Sequence, residues 1–131
     1  MTMPAHRSIV PAGAAPPVGP YVPATGFERL IFVSGQGARR PDTNQLAGDD
    51  IETQTAQVLE NVRVIVEAAG SSMQHVLRCT VYLTDMSEFA RMNAVYERAF
   101  GGHKPARTTV QVAALPLPGL RVEIDCIAYT P

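Results

Sequence analysis

An excess of charge is what this sequence most plainly lacks: 11 Lys and Arg stand against 12 Asp and Glu, a formal net charge of −1. That balance provides no sequence-independent attraction to a phosphate backbone or an anionic lipid surface, so nucleic acid and membrane are disfavoured as partners. No apolar run approaches a membrane span, and no basic stretch leads into a hydrophobic signal core, which predicts a cytoplasmic protein. There are only two cysteines, Cys79 and Cys126, far apart in the chain and without zinc or dithiol spacing; buried free thiols are the expectation. His6, His75 and His103 are isolated, with no HExxH-like spacing, so no metal is expected. The absence of a G-x-S-x-G elbow, a Walker loop and a dinucleotide fingerprint removes any specific signal for a hydrolase triad, an NTPase or a nicotinamide enzyme.

What is present describes one α+β domain. A chain of 131 residues, 46% hydrophobic and 18% charged, can bury one core and is short for two. The domain is assigned to residues 1–131, with 1–14 expected to be loosely ordered. Prolines and glycines through residues 11–23 exclude a helix or central strand there. A strand is predicted over 30–34, running into Gly35, Gln36 and Gly37, where the backbone can approach a ligand closely. Residues 39–50 read as a polar surface connection.

Apolar residues at Ile51, Val58, Leu59, Val62, Ile65, Val66 and Ala69 mark one face of a helix of about five turns, capped by Asp49 or Asp50 and stopped by Gly70. Leu77, Cys79, Val81 and Leu83 alternate with polar neighbours as a half-covered strand does. A second helix over 86–100 presents Phe89, Met92, Val95, Tyr96 and Ala99 and ends at Gly101. Strands at 107–114 and 121–129 are read as a hairpin. In that pairing one face is apolar, and the other gathers Arg107, Thr109, Glu123 and Asp125. The helices should then pack on one side of a mixed or antiparallel sheet.

The polar face fits either a binding site or a solvated sheet surface, and periodicity alone leaves both open. A guanidinium such as that of Arg107 matches a carboxylate bidentately at any physiological pH, and a carboxylate such as Glu123 can hold a water or a protonated nitrogen. A surface ion pair is the bland alternative for both.

Several strings, taken in order, carry a more specific signal: APPVGPY (15–21), VSGQ (33–36), NVRVIVEAAG (61–70), TVYLTDMSEFARMNAVYERAF (80–100), PARTTVQVAALP (105–116) and VEIDCIA (122–128). Together they resemble the RidA (YjgF) family of reactive intermediate deaminases over nearly the whole chain. The resemblance implies a chorismate-mutase-like fold with two helices on one sheet face, three copies forming a barrel, and clefts between copies. It implies cofactor-free hydrolysis of 2-imino or 2-enamino acids to 2-keto acids and ammonia. By the same resemblance Arg107 clamps the substrate carboxylate with the Thr109 amide, Glu123 positions water, and Tyr21, Ser34, Gly35 and Asn93 match other pocket positions. Thr109 departs from the cysteine typical of the family, which alters the pocket's shape and polarity. Two rival readings are a 2-aminomuconate-type deaminase and a non-catalytic trimer that binds a metabolite or a protein. A ribonuclease reading, attached to some relatives, finds neither a basic stripe nor paired histidines here.

Overall fold

The computed structural model describes residues 4–131. Six strands form one sheet: β1 (Arg7–Ile9), β2 (Ala24–Phe27), β3 (Leu30–Gly37), β4 (Val76–Leu83), β5 (Ala106–Gln111) and β6 (Val122–Tyr129). Their order is β1-β2-β3-β6-β4-β5, antiparallel throughout except for the parallel pair β4/β5. Two helices, α1 (Ile51–Ala68) and α2 (Phe89–Phe100), cover one face. The expected α+β layering is therefore observed.

Local chemistry sets the helix ends. Asp50 accepts from the Thr53 N–H at 2.8 Å, satisfying an amide that the first turn of α1 leaves unpaired. Gly70 then takes a left-handed φ of 86° just past the last turn. Asp85 caps the 3-10 turn that leads into α2, and Gly101 (φ 58°) ends it. The core lies between α1 and the sheet, where Ile31, Val58, Leu59, Val62, Ile65, Val81, Leu83 and Ile124 are fully buried. Cys79 and Cys126 are buried and free in the same layer.

Four sequence expectations are corrected. The strands at 107–114 and 121–129 do not form a hairpin: β6 is inserted between β3 and β4, and β5 pairs only with β4. Because β4 and β5 are parallel, they need a crossover, and α2 provides it. Leu77 is exposed rather than buried, since β4 bulges between Val76 and Arg78 and Val76 takes the inward position. In the segment expected to be loosely ordered, Arg7–Ile9 pair with β2; residues 1–3 lie outside the described residues.

The fourth correction concerns the uncovered sheet face, which is not uniformly polar. It carries Thr80, Tyr82, Glu123 and Asp125, but also Leu30, Phe32, Val110 and Ile127, and Phe32 is 41% exposed. Leu30, Phe32 and Ile127 are neighbours across β3 and β6, and such an apolar patch on an open sheet face is unusual for a surface that meets only water.

Candidate active site

The site begins with an irregularity in β3. Between Val33 and Gln36 the chain takes three steps while β6 takes two, from Cys126 to Ile124, so Ser34 and Gly35 form a bulge opposite Asp125. The extra residue turns Gln36 inward, where it is buried, and leaves Gly35 beneath the side chain of Glu123. A Cβ at position 35 would lie 2.6 Å from a Glu123 carboxylate oxygen, so glycine is what lets that carboxylate rest on the backbone. Ser34 fastens the next layer: its Oγ donates to Val22 O at 2.7 Å and its N–H to Pro23 O at 2.9 Å. These bonds hold the proline-rich segment carrying Tyr21, whose phenol oxygen accepts from the Val18 N–H at 3.3 Å.

Tyr21, Pro23, Gly35, Arg39, Leu120 and Glu123 line one recess, with a cavity of about 40 Å³. The enclosed part has room for about one water, and the recess opens to the surface beyond it. Burial, and secondarily the nearby Asp125, pushes the Glu123 carboxyl above its ordinary range. Among the described residues Glu123 has no hydrogen-bond or ion-pair partner, whereas Asp125 accepts from the Tyr82 hydroxyl at 2.9 Å.

Arg107 is elsewhere, and this corrects its expected place beside Glu123 and Asp125. It is opposite Cys79 on β4, whereas Glu123 is opposite Tyr82. Positions 79 and 82 are three residues apart on a regular stretch of strand, so the two side chains leave opposite faces of the sheet. The hairpin reading failed here because β4 lies between the two strands. Arg107 lies on the helix side, its guanidinium carbon 4.8 Å from the Tyr96 ring centroid and 5.5 Å from that of Phe89. Both rings offer their negative faces to the cation.

Asn93, Tyr96, His103, Lys104 and Arg107 line a second, open recess of about 320 Å³. The Asn93 Oδ1 and Tyr96 hydroxyl are buried there without a hydrogen-bond partner among the described residues. Burial first, and the neighbouring Cys79 thiol second, push the Tyr96 phenol far up, so it stays protonated. Burial likewise raises the Cys79 thiol to about 11, which makes it a poor nucleophile. Thr109 follows Arg107 on the same face of β5. The Val112 N–H donates to Leu83 O at 2.8 Å, and amides alternate along a parallel ladder, so the Thr109 N–H faces the free edge of the sheet.

The structure thus brings Tyr21, Ser34, Gly35 and Glu123 together, and separately Asn93, Arg107 and Thr109. Sequence reasoning missed Arg39 in the first recess and the Phe89–Tyr96 support beneath Arg107. The aromatic pair had a readable signal, being seven residues apart on one helix face; Arg39 had none, standing in what read as a surface connection.

The endoribonuclease L-PSP family model matches residues 12–130. The chain belongs to this family, also called RidA or YjgF. Among RidA relatives, a RutC family protein of Pyrococcus horikoshii is 47% identical over 116 residues, 88% of this chain and 91% of that one. The mouse protein named 2-iminobutanoate/2-iminopropanoate deaminase is 40% identical over 123 residues, covering 93% of this chain and 90% of the relative. The crystal structure of the Escherichia coli YjgF gene product superimposes with a TM-score of 0.90 at 37% identity, covering 95% of this chain and 99% of that one. The RidA fold of this chain is thereby established alongside its family.

Proposed function

We propose that the protein is a hydrolytic deaminase that converts 2-imino and 2-enamino acids to 2-keto acids and ammonia, at sites formed between copies of the chain in a homotrimer. One observation carries this reading: Arg107, the candidate carboxylate clamp, and Glu123, without a partner among the described residues, leave opposite faces of one sheet. A second copy can bring its Glu123 recess against the Arg107 edge of the first. The free edge of β5 and the uncovered apolar patch around Phe32 and Ile127 supply surface for that contact. The deaminase names of relatives at about 40% identity support the chemistry.

In the joint site, Arg107 grips the substrate carboxylate with its planar fork, assisted by the outward Thr109 N–H. The imine carbon next to that carboxylate is thereby placed over the Glu123 carboxylate and its water. Glu123 takes a proton as the water oxygen bonds to the carbon and the C=N π electrons move to nitrogen. Return of that proton to nitrogen gives the carbinolamine; Glu123 then takes the hydroxyl proton and passes it to the same nitrogen as the carbonyl re-forms and the C–N bond breaks, releasing ammonia. An enamine enters the same path after protonation at carbon to give the imine. The raised Glu123 carboxyl suits a base that must take up and return a proton. An imine is already electrophilic, so orientation and electrostatics supply most of the help required.

The test is disappearance of 2-iminobutyrate, generated in situ by an amino-acid oxidase or a dehydratase. Arg107→Ala should abolish enzymatic turnover while leaving the circular-dichroism spectrum unchanged. Undiminished hydrolysis by the folded variant rejects the proposal, and carboxylate binding without turnover by the native protein converts it to a metabolite-binding role.

A further inference from the structure

The Glu123 recess contains a second charged group that the proposed reaction does not use. Arg39 stands on an ordered arm rather than a loose connection: the Ala47 N–H donates to Ala38 O at 2.8 Å and the Arg40 N–H to Gln45 O at 2.9 Å. Asn44, with φ 61°, turns the arm back on itself. From beneath, the buried Asn61 donates through Nδ2 to Arg39 O at 2.9 Å and to Gly37 O at 3.1 Å. The side chain is held as well. Its Nη2 donates to Pro16 O at 2.7 Å and its Nη1 to Asn44 Oδ1.

Both acceptors are neutral, and among the described residues no carboxylate pairs with Arg39. Two nitrogens of the fork are engaged, while a guanidinium carries five N–H donors. Arg39 lines the same recess as Glu123, together with Pro16, Pro116, Leu117 and Leu120, yet the two form no ion pair among the described residues. A guanidinium held in place at the mouth of a recess without a carboxylate partner is a receptor for an acid group, because much of its ordering is complete before the ligand arrives.

We propose that Arg39 is a specificity residue that binds a second carboxylate, so that the preferred substrates are 2-imino- and 2-enamino-dicarboxylic acids. This rests on the deaminase reading: one copy's Arg107 takes the carboxylate beside the imine carbon. The rest of the substrate then runs into the Glu123 recess of the other copy, toward Arg39. A monocarboxylic imine leaves Arg39 unmatched.

The experiment compares kcat/KM of the full-length protein for the imines of aspartate and glutamate with that for 2-iminobutyrate, each generated in situ by an oxidase. The native protein should favour the dicarboxylates. Arg39→Gln should reduce kcat/KM for them at least about tenfold more than for 2-iminobutyrate, chiefly through KM, and Arg39→Lys should restore part of the preference. Equal proportional losses on both substrate classes would show a loop tie without a subsite and overturn the proposal, as would a native protein with no preference. Calorimetric binding of 2-oxoglutarate against 2-oxobutyrate separates the two claims. If no imine is hydrolysed but the Arg39-dependent preference for 2-oxoglutarate holds, the subsite stands and the deaminase reading falls. If that preference is missing or survives Arg39→Gln, the subsite falls whatever the turnover.

Discussion

Arg107 and Glu123 point away from each other through the same sheet, one beneath α2 and the other on the uncovered face, because they are opposite β4 positions of different parity. Neither half-site alone offers both a carboxylate clamp and a base. Two individually inactive variants, Arg107→Ala and Glu123→Gln, should therefore regain part of the native activity when mixed, unfolded together and refolded. Some joint sites then draw an intact Arg107 from one copy and an intact Glu123 from the other. No recovery in confirmed mixed assemblies would place the reaction within single chains.

Glu123 is held where its ionised form is disfavoured, and stability should report it. Its raised carboxyl means that the folded state binds the proton more tightly than the unfolded chain does. The penalty is absent below the ordinary carboxylate range, grows as pH rises through the raised value, and is complete above it. Glu123→Gln should accordingly melt higher than the native protein at neutral pH, with the difference closing in acid, while hydrolysis is lost. Thermal melts across pH measure the first effect and the imine assay the second.

Gly35 and Glu123 share a volume that a methyl group would fill. Gly35→Ala should push the carboxylate aside, since the side chain can swing whereas the bulged backbone is fixed. Turnover should fall by about tenfold or more, as misplacement of a reacting group does, while the melting temperature changes little. A structure of the variant with Glu123 unmoved and activity intact would contradict this.

The ring of Tyr96 supports Arg107, but its hydroxyl, buried beside the Cys79 thiol, does not contribute to that support. Tyr96→Phe should preserve activity and change stability little, since the hydroxyl that is removed faces only a weak thiol partner. Tyr96→Leu should raise KM several-fold, in line with a cation–π contribution of about 0.5–2 kcal/mol. Equal KM values for the two variants would assign the guanidinium's position to other contacts.

Much of the fold was written in local patterns. The 3.6-residue spacing of Val58, Leu59, Val62, Ile65 and Val66, bounded by Asp50 and Gly70, specifies α1 with little outside help. β4 and β6 show their alternation because one side meets α1 and the core. Family membership was legible too, since the six strings occur in order over nearly the whole chain. Bulges escape such a reading: nothing in VSGQ states that Ser34 and Gly35 share one position opposite Asp125, or that Val76 replaces Leu77 in the core.

By itself the sequence determined the two helices and the four longer strands, most of the buried layer and the types of side chain available for chemistry, because these follow from periodicity, caps and residue chemistry over short distances. Only the tertiary structure decided which strands are neighbours, and therefore that Arg107 and Glu123 part company while Arg39 joins Glu123. Strand order depends on contacts between segments far apart in the chain, and inserting β6 between β3 and β4 reassigns faces without changing a single local pattern.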